Sequence, residues 1–228
     1  YHPDYFRLFN EPYKQRFSRF EESIDILRLA WNSHKPFSYH GKRFQYDDVM
    51  LTPKPYQAGG PRLWIGAAYP EAIQRAGRLG DAWGILPFWD PIPNLRAQAD
   101  QYRESAAEHS RKPKVVLMRD GWVAPTRKEA EETFGPLWVK EMLFYWRWNL
   151  LSPNEEFTSE ADFTVEKLSK YLVMGSPSEC IEQLEMWRDV VGADYIIMRF
   201  RLPLGPAPER VVACIRQFGA EVIPHFKK

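Results

Sequence analysis

Four short apolar runs spaced among helix-like stretches restrict this chain more than any other feature. The runs are Leu63-Trp64-Ile65, residues 81–86, residues 114–118 continuing toward Trp122-Val123-Ala124, and residues 195–200. Helices are predicted over 70–79, 94–109, 126–150, 177–190 and 207–220. Ala72, Ile73 and Ala76 share one face of the first of these. Ser176, Pro177 and Glu179 form a helix-start signature, and Pro208 opens the last helix. Strands alternating with helices imply an α/β chain, a parallel sheet with helical cover. Right-handed crossovers then leave two architectures, an open doubly wound sheet or a (β/α) barrel.

The first sixty residues read differently. Phe17, Phe20, Ile24, Leu27 and Trp31 recur at helical spacing over 14–31. Apolar and polar residues then alternate from Phe37 to Phe44 around His40-Gly41, which predicts a short hairpin. Pro53, Pro55 and Gly59-Gly60-Pro61 break the chain before the first apolar run. Residues 151–165 are the most loop-like stretch elsewhere.

Charge excludes one class of function. Lys plus Arg total 31 against 30 Asp plus Glu, so the basic excess of a nucleic-acid binder is missing. No apolar run reaches membrane-spanning length. The two cysteines, Cys180 and Cys214, fall on apolar helix faces and read as buried thiols. With no disulfide framework, a reducing, cytoplasmic setting is the expectation.

The sharpest local signal is the stretch from Trp64 to Glu71 (Trp-Ile-Gly-Ala-Ala-Tyr-Pro-Glu). An apolar strand ends, small residues follow, and proline opens a helix. Small side chains allow an anion close to the backbone, where the first helical N–H groups and the helix dipole favour it. An ordinary tight βα turn explains the same residues, and Glu71 competes for the positive helix end. Arg199 and Arg201 flank Phe200 at the close of the last run and, by alternation, share a face. They are candidates to stabilise negative charge on a cofactor or substrate, with a helix-contacting salt bridge as the plain alternative. Arg119-Asp120 holds a comparable place. Trp83 reads as core packing or as the lining of a ring pocket. The aromatic run from Trp138 to Trp148 reads as core, as a cap over an apolar pocket, or as a dimer face. The five histidines lack metal-ligand spacing, and nucleophile-elbow, Walker and dinucleotide glycine motifs are missing.

Several of these segments together resemble the bacterial luciferase-like monooxygenase family. They are residues 16–31, the hairpin with Thr52-Pro53-Lys54-Pro55, residues 61–68, residues 72–83, Gly175-Ser176-Pro177 and residues 221–226. The resemblance implies a (β/α)8 TIM barrel, of which these 228 residues form a single domain, the C-terminal half or more of a longer protein. It implies FMN, reduced by a separate flavin reductase, with O2 and a small organic substrate. The alternatives are a deazaflavin coenzyme moving hydride, or a non-catalytic flavin-binding subunit. It implies a homodimer, and phosphate contacts from Gly66, Ala67, Ala68 and Tyr69, with Tyr1 as a further backbone contact. Many relatives carry serine in this turn, and Ala68-Tyr69 replaces it here.

Overall fold

A computed structural model describes residues 3–85, 90–151 and 154–227. The chain divides into two compact units, Tyr1–Leu63 and Trp64–Lys228.

The first unit holds helix α1 (Pro3–Leu8), helix α2 (Arg16–Asn32) and an antiparallel hairpin of β1 (Phe37–His40) and β2 (Gln45–Val49). Helix and hairpin fall where the apolar periodicities place them. The Glu22 carboxylate on α2 fixes the hairpin turn. It accepts the backbone N–H groups of Lys42, Arg43 and Phe44 at 3.0, 2.8 and 3.1 Å. A Cβ at Gly41 would stand 2.3 Å from Glu22 Oε2, so only glycine lets the turn come this close.

The second unit is a parallel sheet with helical cover. Its elements in order are β3 (Trp64–Gly66), α3 (Pro70–Leu79), β4 (Ala82–Ile85), α4 (Ile92–Glu108), β5 (Val115–Val123) and α5 (Arg127–Arg147). There follow α6 (Val165–Ser169), β6 (Val173–Gly175), α7 (Pro177–Met186), β7 (Tyr195–Arg199) and α8 (Pro208–Glu221). β3 pairs β4, β4 pairs β5, and β7 pairs β5 along residues 116–120. β6 adds to β5 farther on, opposite Gly121–Val123. This three-residue strand is not foreseen in the sequence analysis, although Tyr171-Leu172-Val173-Met174 is an apolar run as long as the one that marks β3. The third apolar run is continuous, because β5 extends unbroken through Arg119 and Asp120.

The sheet curls. Trp64 on β3 and Tyr195 on β7 meet edge-on with ring centroids 5.6 Å apart, although β4 and β5 lie between their strands. In a flat sheet three strand spacings of roughly 4.8 Å would separate them. The unit is therefore an arc of a (β/α) barrel, and the open doubly wound alternative falls. By strand alternation Trp64, Gly66, Gly84, Asp120, Tyr195 and Arg199 lie on the concave side. Ile65, Trp83, Val115 and Leu117 on the other side are buried beneath helices. α3 crosses α4 closely: a Cβ on Gly77 would lie 2.7 Å from Ser105 Cβ.

Candidate functional site

The turn after β3 is exposed and made of backbone. Gly66 and Ala68 are exposed, and Tyr69 keeps 76% of its surface. Tyr69 caps α3 with extended backbone (φ −101°, ψ 149°) and no side-chain cap. Pro70 follows at the first helical position, where its missing N–H costs nothing. The Tyr69 carbonyl takes the N–H groups of Ala72 and Ile73, each at 2.9 Å. Ala67 and Ala68 offer only methyl groups, so the Tyr69 hydroxyl is the one polar side-chain group of the four residues. Tyr1 lies outside the described residues.

Trp83 packs in the core of this unit. It is fully buried, its ring tilted against Tyr102 at 5.6 Å, and its indole Nε1–H donates to the Ala67 carbonyl at 2.9 Å. The core reading wins because Trp83 and Ile65 are register partners on the helix-covered side. On the concave side the same register pairs Gly66 with Gly84. A Cβ on Gly84 would meet nothing within 4 Å. Two glycines in register add no side chain of their own to the sheet at the mouth of the turn.

Arg199 and Arg201 are not brought together. Arg201 lies past the end of β7 and is exposed. Arg199 donates from Nη2 to Asp120 Oδ2 at 2.8 Å and to Glu141 Oε1 at 2.8 Å, while its Nε closes a second bond to Asp120. The salt bridge to a helix, the plain alternative for this arginine, is what forms, since Glu141 stands on α5. Trp138, also on α5, donates its indole N–H to Asp120 Oδ2 at 2.8 Å. Asp120 is 1% exposed and Glu141 7%. Two carboxylates against one guanidinium leave a net charge of −1 if both ionise. Burial pushes the Glu141 carboxyl above its usual range, Arg199 offsets part of this, and Asp120 adds to it. Glu141 Oε2 is buried with no hydrogen-bond partner among the described residues. Burial disfavours charge on Arg199, yet the bonds and charges of Asp120 and Glu141 outweigh it and raise its pKa.

Arg119 takes the opposite face from Asp120. It is 1% exposed, lies 3.9 Å over the Trp187 ring and donates to the Met118 carbonyl at 2.8 Å. Burial brings it down to about 9, against the opposing charges of Asp120 and Asp90. The aromatic run divides. Trp138 and Met142 are core, Trp146 packs edge-on against Phe163 at 5.3 Å, and Phe144 and Trp148 stay more than half exposed at 51% and 55%. Burial pushes the Cys180 and Cys214 thiols up to about 12 and about 11, which makes them inert packing groups. Among the described residues no His, Cys, Asp and Glu group could hold a metal ion, and no helix is long and apolar enough to cross a membrane.

Sequence reasoning found Asp120 and Arg199 but missed Glu141. Glu141 sits inside the aromatic run of α5, where a lone glutamate carries no signal of which strand residue it meets.

Comparison with known proteins bears on this arrangement. The family profile described as luciferase-like monooxygenase matches residues 1–194. The phthiodiolone/phenolphthiodiolone dimycocerosates ketoreductase of Mycobacterium tuberculosis is 24% identical over 250 aligned positions, covering 96% of this chain and 63% of that protein. The FMNH2-dependent dimethylsulfone monooxygenase of Pseudomonas putida is 29% identical over 143 positions, covering 59% of this chain and 37% of that protein. The crystal structure of monooxygenase RslO1 from Streptomyces bottropensis superposes with a TM-score of 0.80 at 20% identity, over 99% of this chain and 66% of that one. The chain thus spans about two thirds or less of the length of the proteins it matches.

Proposed function

Because the chain belongs to the luciferase-like monooxygenase family, we propose that it forms part of a flavin-dependent oxidoreductase, a monooxygenase using reduced FMN and O2 on a small organic substrate. The observation that carries this reading is the turn Gly66–Tyr69, with small residues at 66–68, beside the in-register glycines Gly66 and Gly84.

In this reading the turn and the positive end of α3 hold the phosphate, with the Tyr69 hydroxyl as an added donor. Gly66 and Gly84 leave room for the ring against the sheet. A bound flavin supplies the redox chemistry, and the chain binds it, orients it and keeps water from it. Arg199, fixed by Asp120 and Glu141, is an oriented guanidinium on the concave face whose charge these carboxylates already offset. Arg201 contributes charge from the solvent side. An oriented guanidinium stabilises developing negative charge without reorganisation. A flavin reductase supplies the reduced cofactor, the exposed Phe144 and Trp148 contribute to a homodimer face, and the setting is cytoplasmic.

A second reading is hydride transfer from a deazaflavin coenzyme. It is favoured by the likeness to a ketoreductase over 96% of the chain. Oxygen uptake separates the two. Turnover with reduced FMN should consume O2, and turnover with reduced deazaflavin alone, without O2 consumption, would sink the monooxygenase reading. Flavin bound without any turnover would instead mark a non-catalytic subunit.

A further inference from the structure

The peptide between Ala67 and Ala68 sits in the middle of the exposed turn, and one bond sets its orientation. The Ala67 carbonyl accepts the Trp83 indole N–H at 2.9 Å, and Trp83 is 0% exposed, so the carbonyl is drawn toward the core where water does not compete. Among the described residues the cis peptides are Thr52-Pro53 and Gly205-Pro206, so this one is trans. In a planar trans peptide the C=O and the N–H point in opposite directions. A carbonyl pinned inward therefore turns the Ala68 N–H outward, at a residue that is exposed. The methyl groups of Ala67 and Ala68 have no means of orienting this unit.

A buried indole needs an acceptor, and any nearby carbonyl would serve packing alone. The acceptor here is the turn. We infer that Trp83 is a positioning residue, which touches no ligand but presets the Ala68 N–H for an incoming phosphate. The inference rests on the reading of Gly66–Tyr69 as the phosphate turn. It explains how two alanines keep a backbone donor aimed outward without help from their own side chains. The N–H is oriented before the ligand arrives, so binding spends less on ordering it.

The test removes the indole N–H and keeps the ring. Trp83→3-benzothienylalanine does so with the shape unchanged, and Trp83→Phe is the encoded counterpart. FMN and riboflavin, which differ only in the phosphate, are titrated by fluorescence against wild type and both variants. Wild type should favour FMN by about tenfold or more, and the variants should lose about tenfold in FMN affinity while riboflavin affinity stays within about twofold. Full FMN preference in the benzothienyl variant overturns the positioning role and leaves the phosphate turn standing. Equal binding of FMN and riboflavin by wild type overturns the phosphate turn, and the inference with it. Equal losses of both ligands in the benzothienyl variant would make Trp83 a packing residue and also overturn the proposal.

Discussion

Asp120 and Arg199 are register partners on adjacent parallel strands, and their side chains close a two-point ion pair on the concave face. Parallel pairing places them level, so the guanidinium meets the carboxylate without reaching. Asp120 is fully buried and also holds the Trp138 indole. Truncating it leaves the half-buried guanidinium to Glu141 and takes the acceptor from the Trp138 indole N–H. Asp120→Ala should lower stability by about 1–3 kcal/mol. Urea unfolding checks this, and a loss below about 1 kcal/mol would mean that the pair is dispensable.

Glu141 makes stability depend on pH in a stated direction. Its folded pKa is raised above the ordinary 4.5, chiefly by burial. The folded chain therefore holds the proton more tightly than the unfolded chain does. This contribution is fully present below 4.5 and is lost as pH rises through the folded pKa. Glu141→Gln cannot ionise, so its stability should fall less steeply than wild type above 4.5. Unfolding curves of both proteins across that range are the measurement, and parallel profiles would refute the assignment.

Glu22 ties the hairpin to α2 through three backbone N–H groups. Glu22→Ala leaves these donors to weaker partners, at a cost of about 1–3 kcal/mol. Hydrogen exchange at Lys42, Arg43 and Phe44 should quicken, while amides in β5 stay protected. Unchanged exchange at the turn would show that water replaces the carboxylate without loss.

Ala68→Glu introduces a carboxylate beside the N–H that points outward from the turn. Repulsion at close range should weaken FMN binding about tenfold or more and riboflavin binding far less. Titration of both ligands decides it. Unchanged FMN retention would remove the turn from the site.

The sequence reveals the architecture better than the chemistry. α3 falls on the predicted residues 70–79, because a small-residue turn and Pro70 mark its start without ambiguity. α7 and α8 begin where Ser176-Pro177 and Pro208 place them, and the Ser176–Glu179 capping box forms as the pattern requires. These signals are local, and local physics suffices for them. The Asp120–Arg199–Glu141 cluster is not local. Asp120 and Arg199 lie 79 positions apart, Arg199 and Glu141 58. Alternation puts Arg199 and Arg201 on one face only while the strand lasts, and β7 ends at Arg199. Trp83 is ambiguous in the sequence for a related reason. Its burial depends on which side of the sheet the helices cover, a property of the tertiary arrangement.

The edge-on meeting of Trp64 and Tyr195 gives the curl of the sheet an optical signature. Excitation passes from tyrosine to tryptophan with an efficiency that drops steeply as the rings part. Any loosening of the arc separates these two first, since they sit on its outermost strands. Both rings are about half exposed on the side where the ring system is proposed to lie. Their emission would thus report two events in one signal, the opening of the arc and the arrival of an absorbing guest.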